Sequence, residues 1–420
     1  MSTSTLDRTR LLSAAAVRAA LLAGDEIALV DVREEQAFAL AHPLFAVQIP
    51  LSRIAIEAGW RIPRVETPIV LYDDGEGQAE AATRRFDALG FTQVYLLDGG
   101  LDGWRDAGYE LFQDVNSAAK AFGELVEYRR HTGALCAEEV QALIREKADI
   151  AILDARRFDE YQTMSIPTAT SVPGAELVLR ARAVAPDPDT AIIVNCAGRT
   201  RSIIGAQSLV NAGIPNRVYA LENGAIGWAL AGQQLETGQR RVAPDAGPDD
   251  LAEARVRARD VAYRAGVKRI GWTDLAWLRA DERRSLYQFD VRQPAPFAAG
   301  HLPGFHNAQG GQLVQEIDHY APVRGARIVL ADDAGPRADM TASWLAQMGW
   351  DVFVLDTDWA AHPLETGHDA APPPRGPEGR YKRPYEGTGH KADAMQAYLD
   401  WEYGLVDQLA RDDTHGFTII

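Results

Sequence analysis

The chain has 420 residues, of which 46% are hydrophobic and 24% are charged, and its formal net charge is −16. These globular values exclude a chain that is disordered throughout, and the length predicts about two to four domains. An acidic chain without a long basic run is poorly suited to binding nucleic acid or an anionic membrane. Two cysteines cannot form a disulfide framework, and no apolar run reaches the length of a membrane span. We therefore expect a cytoplasmic protein.

The first predicted element is an apolar stretch at residues 11–24, which follows Arg8 and Arg10. Arg18 interrupts this stretch, and acidic residues close it without a clear cleavage site. The pattern favours an ordinary amphipathic helix over a signal peptide.

Three segments of the chain then share one pattern. Each has an apolar run ending in Asp-x-Arg, at 28–33, 151–157 and 286–292, and a second run leading into a loop and a helical pattern, at 68–81, 191–204 and 327–340. The Asp precedes the first loop residue by 42 positions in all three segments, and 17 further positions lead to a glycine. A third apolar run follows at 94–98, 218–221 and 352–356. The sequence therefore predicts three tandem α/β units, each with a mostly parallel sheet.

The segments between the units predict the domain organisation. We assign units to 1–115, 134–241 and 269–366, a polar linker helix to 116–133, and a turn-rich boundary followed by a charged helix to 242–268. Residues 367–420 are predicted to form a Pro- and Gly-rich extended linker and then an amphipathic helix at 392–410. The apolar face of that helix is expected to pack on the chain's own domains or on a second copy, in preference to a protein partner; it comprises Met395, Tyr398, Leu399, Leu405, Val406 and Leu409.

The loop after the second apolar run is where open α/β sheets place ligands, and its first residue differs between the units. That residue is Cys196 in the second unit, Asp73 in the first and Asp332 in the third. Five positions further on, the second unit has Arg201, the first has Gln78 and the third has Arg337. We therefore expect chemistry in the second unit alone.

Three features are expected to lower the pKa of Cys196. The residue precedes a helix N-terminus, its glycine-containing loop can form an anion-binding nest, and Arg199, Arg201 and Arg217 surround it in sequence without a carboxylate.

Other nucleophile and metal patterns are weak in this sequence. No histidine falls within 134–240, so a Cys–His pair would need a histidine from outside the second unit. The nearest one in sequence is His131. Cys136 is expected to be structural, and no Cys/His grouping has metal-ligand spacing. We therefore expect no metal and no organic cofactor.

The motifs of the second unit resemble those of the rhodanese (sulfurtransferase) family. The resemblance rests on the Asp-Ala-Arg strand end at 154–156, the NCAGRTRS loop and the ENGAIGW segment at 222–228, and it extends over the three units. It implies a catalytic Cys196 and an anion-binding loop, with the first and third units as inactive modules; the loop residues are Ala197, Gly198, Arg199, Thr200 and Arg201. The second unit departs from the family pattern at 164–169, where many members have Gly-His-Ile-Pro-Gly-Ala; the third unit keeps Gly-His-Leu-Pro-Gly at 300–304.

The resemblance implies transfer of sulfur from an anionic donor such as thiosulfate to cyanide or a thiol, through a Cys196 persulfide. Arg201 is the first candidate for anion binding, and Arg199 is the second, because its position also suits a solvent-facing side chain. Arg156 is expected to form a structural ion pair with Asp154, since Arg33 and Arg292 recur in the inactive units. Arg180 is a weaker candidate for overhanging the site.

Two alternative functions remain at this stage. Related rhodanese-fold phosphatases and arsenate reductases use a Cys-x5-Arg loop, whereas this loop is Cys-x4-Arg and fits a persulfide sulfur better. A persulfide carrier or sensor that binds a protein partner through the inactive units or the C-terminal helix is the other alternative, because two of the three units lack a nucleophile.

Overall fold

Three parallel β-sheets in tandem form the frame of the molecule. The computed structural model describes residues 10–369, 371–376, 379–384, 386, 389 and 391–420. Arg8, on which part of the N-terminal prediction rests, lies outside these residues, as do parts of the predicted 367–390 linker. Within each sheet, neighbouring strands pair in parallel. The predicted fold class, three tandem α/β units, is confirmed.

Each sheet has five strands. The first contains β1 Leu11–Leu12, β2 Ala28–Asp31, β3 Val47–Gln48, β4 Ile69–Tyr72 and β5 Val94–Leu97. The second contains β6 Ala134–Leu135, β7 Ile150–Asp154, β8 Thr170–Ser171, β9 Ala191–Asn195 and β10 Val218–Leu221. The third contains β11 Lys268–Ile270, β12 Leu286–Asp290, β13 His306–Asn307, β14 Arg327–Ala331 and β15 Asp351–Leu355.

The three sheets have the same strand order and equivalent registers. The order of the first is β1-β5-β4-β2-β3, and the other two repeat it. The aspartate of each Asp-x-Arg motif pairs with the residue just before the candidate loop: Asp31 with Tyr72, Asp154 with Asn195, and Asp290 with Ala331. Since β4, β9 and β14 are buried along their whole length, continuous apolar runs are required there.

Helices cover both faces of the sheets. Those of the first unit are Ala14–Ala23, Glu35–Phe38, Ile54–Arg61, Gln78–Ala88 and Gly100–Asp106, with a 3₁₀ turn at Leu51–Arg53. Helix Ser117–Arg130 leads to those of the second unit: Ala137–Glu146, Phe158–Thr163, Leu177–Val184, Thr200–Asn211 and Gly224–Leu230, with a 3₁₀ turn at Gly174–Glu176. The remainder are Pro248–Arg264, Trp272–Ala280, Pro294–Ala299, Gly310–Gln315, Ile317–Tyr320, Pro336–Gln347, Ala392–Tyr403 and Leu405–Asp412, with a 3₁₀ turn at Trp359–Ala361.

The structure corrects two of the predicted helices. The stretch at 11–24 begins with β1, and its helix starts only after Ser13, whose side chain accepts a hydrogen bond from the Ala16 amide at 3.2 Å. The helix expected at 392–410 is divided at Gly404, the residue type that least favours a helix interior after proline.

Helix Ser117–Arg130, expected as a polar linker helix, is largely buried. Its residues 117–126 are buried, including Lys120 and Glu124. Lys120 forms an ion pair with Asp114 at 2.7 Å, and Glu124 forms one with Arg199. The polar residues of this helix therefore make buried ion pairs instead of contacting solvent.

One large apolar core joins the linker helix to the first unit, the third unit and the C-terminal segment. Phe122 lies at its centre, with ring centroids 5.9 Å from Trp344 and 5.3 Å from Phe417. Leu405 and Leu409 are buried in the same core. The C-terminal helices thus use their apolar face within the chain. Among the described residues, no helix combines the length and apolar character needed to cross a membrane.

Candidate active site

Cys196 lies in a short loop between β9 and helix Thr200–Asn211. The next helix, Gly224–Leu230, holds this loop from outside: the Ala225 amide donates to the Cys196 carbonyl at 2.9 Å, and the Ile226 amide donates to the Ala197 carbonyl at 2.9 Å. Gly224 has φ +53°, and a Cβ there would lie 2.6 Å from the Cys196 carbonyl oxygen. Glycine is therefore required where the two segments meet.

The Cys196 thiol is buried, and the residue is 2% exposed. Its Sγ lies 3.5 Å from Ser202 Oγ, which itself donates to the Arg199 carbonyl at 2.7 Å. Burial raises the pKa of the thiol, whereas the charge of Arg201, hydrogen bonds with Ser202 and the charge of Arg156 lower the pKa by less. The expected net lowering of the Cys196 pKa is therefore wrong, because sequence reasoning counted nearby charge and missed desolvation.

The two cysteine-less loops show what this loop geometry binds. The Asp73 carboxylate accepts hydrogen bonds from the amides of Gly75 at 3.0 Å and Ala79 at 2.9 Å. The Asp332 carboxylate accepts from the amides of Ala334 at 3.1 Å and Arg337 at 2.9 Å. In both units a negatively charged side chain occupies the position of the Cys196 thiol and is bound by loop and helix amides. The same backbone geometry in the second unit therefore suits an anion at this position.

Arg201 lies in the first turn of the helix that follows the loop. Its guanidinium donates to both Glu160 carboxylate oxygens, at 2.8 and 2.9 Å, and to Gln312 of the third unit at 3.5 Å. Glu160 is held ionised, since the charges of Arg201 and Arg156 lower its pKa to about 2 against the effect of burial. An incoming anion would have to share Arg201 with this carboxylate.

Arg199 is buried and does not face solvent, contrary to the expectation for it. It forms a bidentate ion pair with Glu124 at 2.7 and 2.8 Å, and it also contacts Glu127. Its guanidinium lies 4.1 Å from the ring centroid of Tyr403. These contacts connect the loop to the linker helix and the C-terminal helix, and they occupy Arg199.

Arg156 and Asp154 form a buried ion pair, with Nε 2.9 Å and Nη2 2.7 Å from the carboxylate oxygens. Asn195 donates to the same carboxylate at 3.0 Å. The first and third units repeat the pair with Arg33–Asp31 and Arg292–Asp290, both at 2.6 Å. Recurrence in units without a cysteine indicates a structural role for the pair.

Arg180 is bound by two carboxylates. It pairs with Glu176 at 2.8 Å and with Asp245 at 2.8 Å, and it does not line the cavity on which Arg201 borders. These two carboxylates hold its guanidinium, and a place for Arg180 over the site stays a prediction.

The histidine and the second cysteine named from sequence also lie outside this arrangement. Cys136 precedes helix Ala137–Glu146, where its amide donates to Glu139 at 2.8 Å. His131 is exposed and ends the linker helix in a left-handed conformation. Among the described residues, no group of three or more His, Cys, Asp or Glu side chains has an arrangement that could hold a metal ion.

A cavity of about 610 Å³ lies against the second unit. Its wall includes Arg156, Glu160, Met164 and Arg201 from the second unit, and Met164 packs on Ala197 of the loop. Further residues of the wall come from the first unit, Asn116 of the linker, the third unit and the C-terminal segment from Ala371 to Glu386 as far as it is described. Cys196 itself does not line the cavity.

Three contacts of the site were missed by the sequence reasoning: Glu160, Glu124 and Tyr403. Glu160 could have been found by aligning the three units, since the corresponding positions are the uncharged Ala37 and Pro296. A carboxylate unique to the cysteine-containing unit was therefore visible in the repeat. Glu124 and Tyr403 lie outside the repeats, and no spacing pointed to them.

Comparison with known proteins gives the family. The Rhodanese-like domain model matches residues 13–107, 137–231 and 274–362. The chain is 48% identical to the thiosulfate sulfurtransferase of Pseudomonas aeruginosa in its crystal structure, with a TM-score of 0.96 over 98% of this chain and 100% of that one. It also matches the Alr3790 protein from Anabaena sp. (24% identity, TM-score 0.24, 25% of this chain and 83% of that one). The BH2092 protein from Bacillus halodurans matches at 21% identity and a TM-score of 0.24, over 26% of this chain and 81% of that one. The chain therefore belongs to the rhodanese family and contains three tandem rhodanese-like domains.

Proposed function

We propose that the protein is a sulfurtransferase that moves sulfane sulfur from an anionic donor, thiosulfate or a similar compound, to a thiol or cyanide through a persulfide on Cys196. The observation that carries the proposal is the presence of a cysteine in one of three structurally equivalent loops whose other members bind a carboxylate. The identity to a thiosulfate sulfurtransferase over nearly the whole chain supports the same reaction class.

The first half-reaction forms the persulfide. The Cys196 thiolate attacks the outer sulfur of the donor, a new S–S bond forms, and the donor's S–S bond breaks with its electron pair leaving on sulfite. In the second half-reaction an acceptor thiolate or cyanide attacks the outer sulfur, and the Cys196 thiolate leaves. The cycle needs no external oxidant or reductant, and it is covalent ping-pong catalysis.

The loop residues bind charge during both steps. The amides that bind Asp73 and Asp332 correspond to those of Gly198, Arg201 and Ser202, and in this proposal these amides bind the anionic sulfur. Arg201 binds the oxygens of the donor after exchanging its contact with Glu160. Arg199 keeps the loop in place through Glu124. The unit at 134–241 performs the chemistry, and the other two units contribute structure. The cycle requires a reduced Cys196, in agreement with the expected cytoplasmic location.

The test is turnover of thiosulfate and cyanide to thiocyanate by three proteins: wild type, Cys196→Ser and the matched control Cys136→Ser. We expect loss of turnover in Cys196→Ser only. Unchanged turnover in Cys196→Ser would overturn the proposal. Hydrolysis of an aryl phosphate by the wild type, without thiocyanate formation, would replace it with the phosphatase alternative.

A further inference from the structure

The first C-terminal helix, Ala392–Tyr403, packs against the loop of the second unit that carries the cysteine. A Cβ at Gly198 would lie 3.3 Å from Tyr398 Cε1 and 3.5 Å from Glu402 Oε2. Gly198 does not have a positive φ, and the third unit has Ala334 at the corresponding position, so the loop backbone itself accepts a side chain there. The close approach of the helix, and not the backbone conformation, therefore favours glycine at this position.

Side chains of neighbouring segments hold this helix in place. The Lys120 ammonium lies 5.0 Å from the ring centroid of Tyr398. Tyr403 Oη accepts a hydrogen bond from Arg199 Nη1 at 3.0 Å and donates one to Asn223 Oδ1 at 3.0 Å. The helix is thus bound to the linker helix, to the loop and to the start of the helix that supports the loop.

Glu402 is completely buried in this contact. Its Oε1 accepts a hydrogen bond from the Tyr398 hydroxyl at 2.6 Å, whereas its Oε2 has no hydrogen-bond partner among the described residues. An ionised carboxylate with a buried oxygen that lacks a donor is costly, whereas a protonated oxygen carries its own hydrogen. Burial raises the pKa of Glu402 to about 8, and the negative charge of Glu124 acts in the same direction. Glu402 is therefore mainly neutral at pH 7.

The charged and titratable groups that face Glu402 come from three elements: Glu124 and Lys120 of the linker helix, Arg199 of the loop and Tyr398 of its own helix. The bidentate ion pair with Arg199 favours the ionised form of Glu124, and Lys120 is paired with Asp114. The helix that supports the loop also packs on the C-terminal helix, and its sequence, GAIGWAL, contains no titratable side chain. Ionisation of Glu402 would therefore add a negative charge beside the loop that no neighbouring cation is reserved to balance.

We propose that Glu402 is a positioning residue for sulfur transfer, which in its neutral form packs with Tyr398 against Gly198 and keeps the Gly198 amide available to the anionic sulfur on Cys196. The inference rests on the proposed function, in which this amide binds that sulfur. An ionised Glu402 would place a negative charge beside the same residue and so oppose binding of an anionic donor. The covalent steps stay as described above, since Glu402 neither gives nor takes a proton in them.

The test compares the pH dependence of kcat/KM for thiosulfate, with cyanide as the acceptor, in the wild type and in Glu402→Gln. The glutamine keeps the shape of the neutral carboxyl group but cannot ionise. Dividing its kcat/KM by that of the wild type removes the titration of Cys196, which the two proteins share. We expect this ratio to be about one near pH 6.5 and to rise about three- to tenfold by pH 9.5, because only the wild type gains the negative charge.

Two further variants separate charge from packing. Asp400→Asn changes an exposed carboxylate of the same helix, and its ratio to the wild type should stay at about one over the whole pH range. Glu402→Ala removes the contact with Gly198 and the acceptor of the Tyr398 hydroxyl, so its kcat/KM should be about tenfold or more below the wild type near pH 6.5, where Glu402→Gln retains activity. Circular dichroism identifies a variant that fails to fold, and Glu402→Gln then decides the inference.

A ratio for Glu402→Gln that stays constant with pH, or that rises equally in Asp400→Asn, would overturn the inference and leave Glu402 a packing residue. Equal kcat/KM for folded Glu402→Ala and the wild type near pH 6.5 would also overturn it. Absence of thiocyanate formation by the wild type at every pH would instead overturn the proposed function.

Discussion

At the scale of single residues, the site combines a buried thiol with charges that are already paired. Cys196 is favoured in its neutral form by burial, and Arg201, which favours the thiolate, is bound to Glu160 in the structure. Arg199 is bound to Glu124. The resting site therefore has little free positive charge, and an anionic donor must compete with a carboxylate for Arg201.

Reactivity of Cys196 should consequently depend steeply on pH. Because burial raises its pKa, the thiolate fraction lies below that of a free cysteine at every pH, and the rate should rise about tenfold per pH unit up to a midpoint above that of a free cysteine. Glu160→Gln removes the carboxylate that neutralises Arg201, so the midpoint should move to lower pH. The measurement is alkylation of Cys196 by iodoacetamide, followed by peptide mass spectrometry between pH 6 and 10. A wild-type midpoint at or below that of free cysteine would contradict the assignment.

Arg201 should determine binding of the donor. Arg201→Gln removes a charge-assisted contact, so kcat/KM for thiosulfate should fall by about 10- to 100-fold. Arg217→Gln, an exposed arginine of the same unit, is the matched control and should change kcat/KM by less than about twofold. Equal kinetics for Arg201→Gln and the wild type would remove Arg201 from the site.

At the level of helices and strands, the central strands and the Cys196 loop could be predicted from sequence, but the edge strands could not. Strands such as β9 are continuous apolar runs, and the loop repeats at a fixed interval. Strands of two residues, such as β1 and β3, leave no periodic pattern, because their sheet position is set by pairing with a neighbour. The contact between the loop and Gly224 was likewise invisible, although the ENGAIGW segment that contains it was recognised.

The junction at Gly224 gives a test at this scale. Gly224→Ala places a Cβ 2.5 Å from the Gly198 carbonyl oxygen at a positive φ, so we expect a loss of about 2–5 kcal/mol in unfolding free energy and loss of sulfur transfer. Gly232→Ala has a positive φ but open space around it, and it should cost only about 1–2 kcal/mol, with activity retained. Chemical denaturation and thiocyanate release measure both. Similar effects of the two substitutions would show that backbone strain alone accounts for the result.

At the scale of the whole molecule, the three units form one body around the linker helix. The three units could be predicted from sequence because the same spacing between motifs recurs in each of them. The packing between units could not be predicted, because it depends on contacts made by residues outside the repeated motifs. The apolar residues of the linker helix are interspersed with polar ones, so its sequence predicts a polar linker and gives no sign of its burial. Its polar residues are buried because Asp114 and Arg199 supply opposite charges.

Phe122 reports on this shared core. Phe122→Ala should lower the free energy of unfolding by about 3–5 kcal/mol, since it leaves a cavity against Trp344 and Phe417. Tyr128→Ala, at a 61% exposed position of the same helix, should change it by less than about 0.5 kcal/mol. The unfolding transitions monitored by tryptophan fluorescence and by circular dichroism should shift together in Phe122→Ala. Loss confined to one unit, with separate transitions, would contradict a common core.

Formation of a persulfide on Cys196, by one unit of three, can be measured by intact-mass spectrometry after mixing the protein with thiosulfate. We expect a gain of one sulfur atom on the wild type and on Cys136→Ser, none on Cys196→Ser, and discharge of the adduct by cyanide with release of thiocyanate. An adduct that persists in Cys196→Ser, or no adduct on the wild type with thiosulfate or another sulfane-sulfur donor, would contradict it.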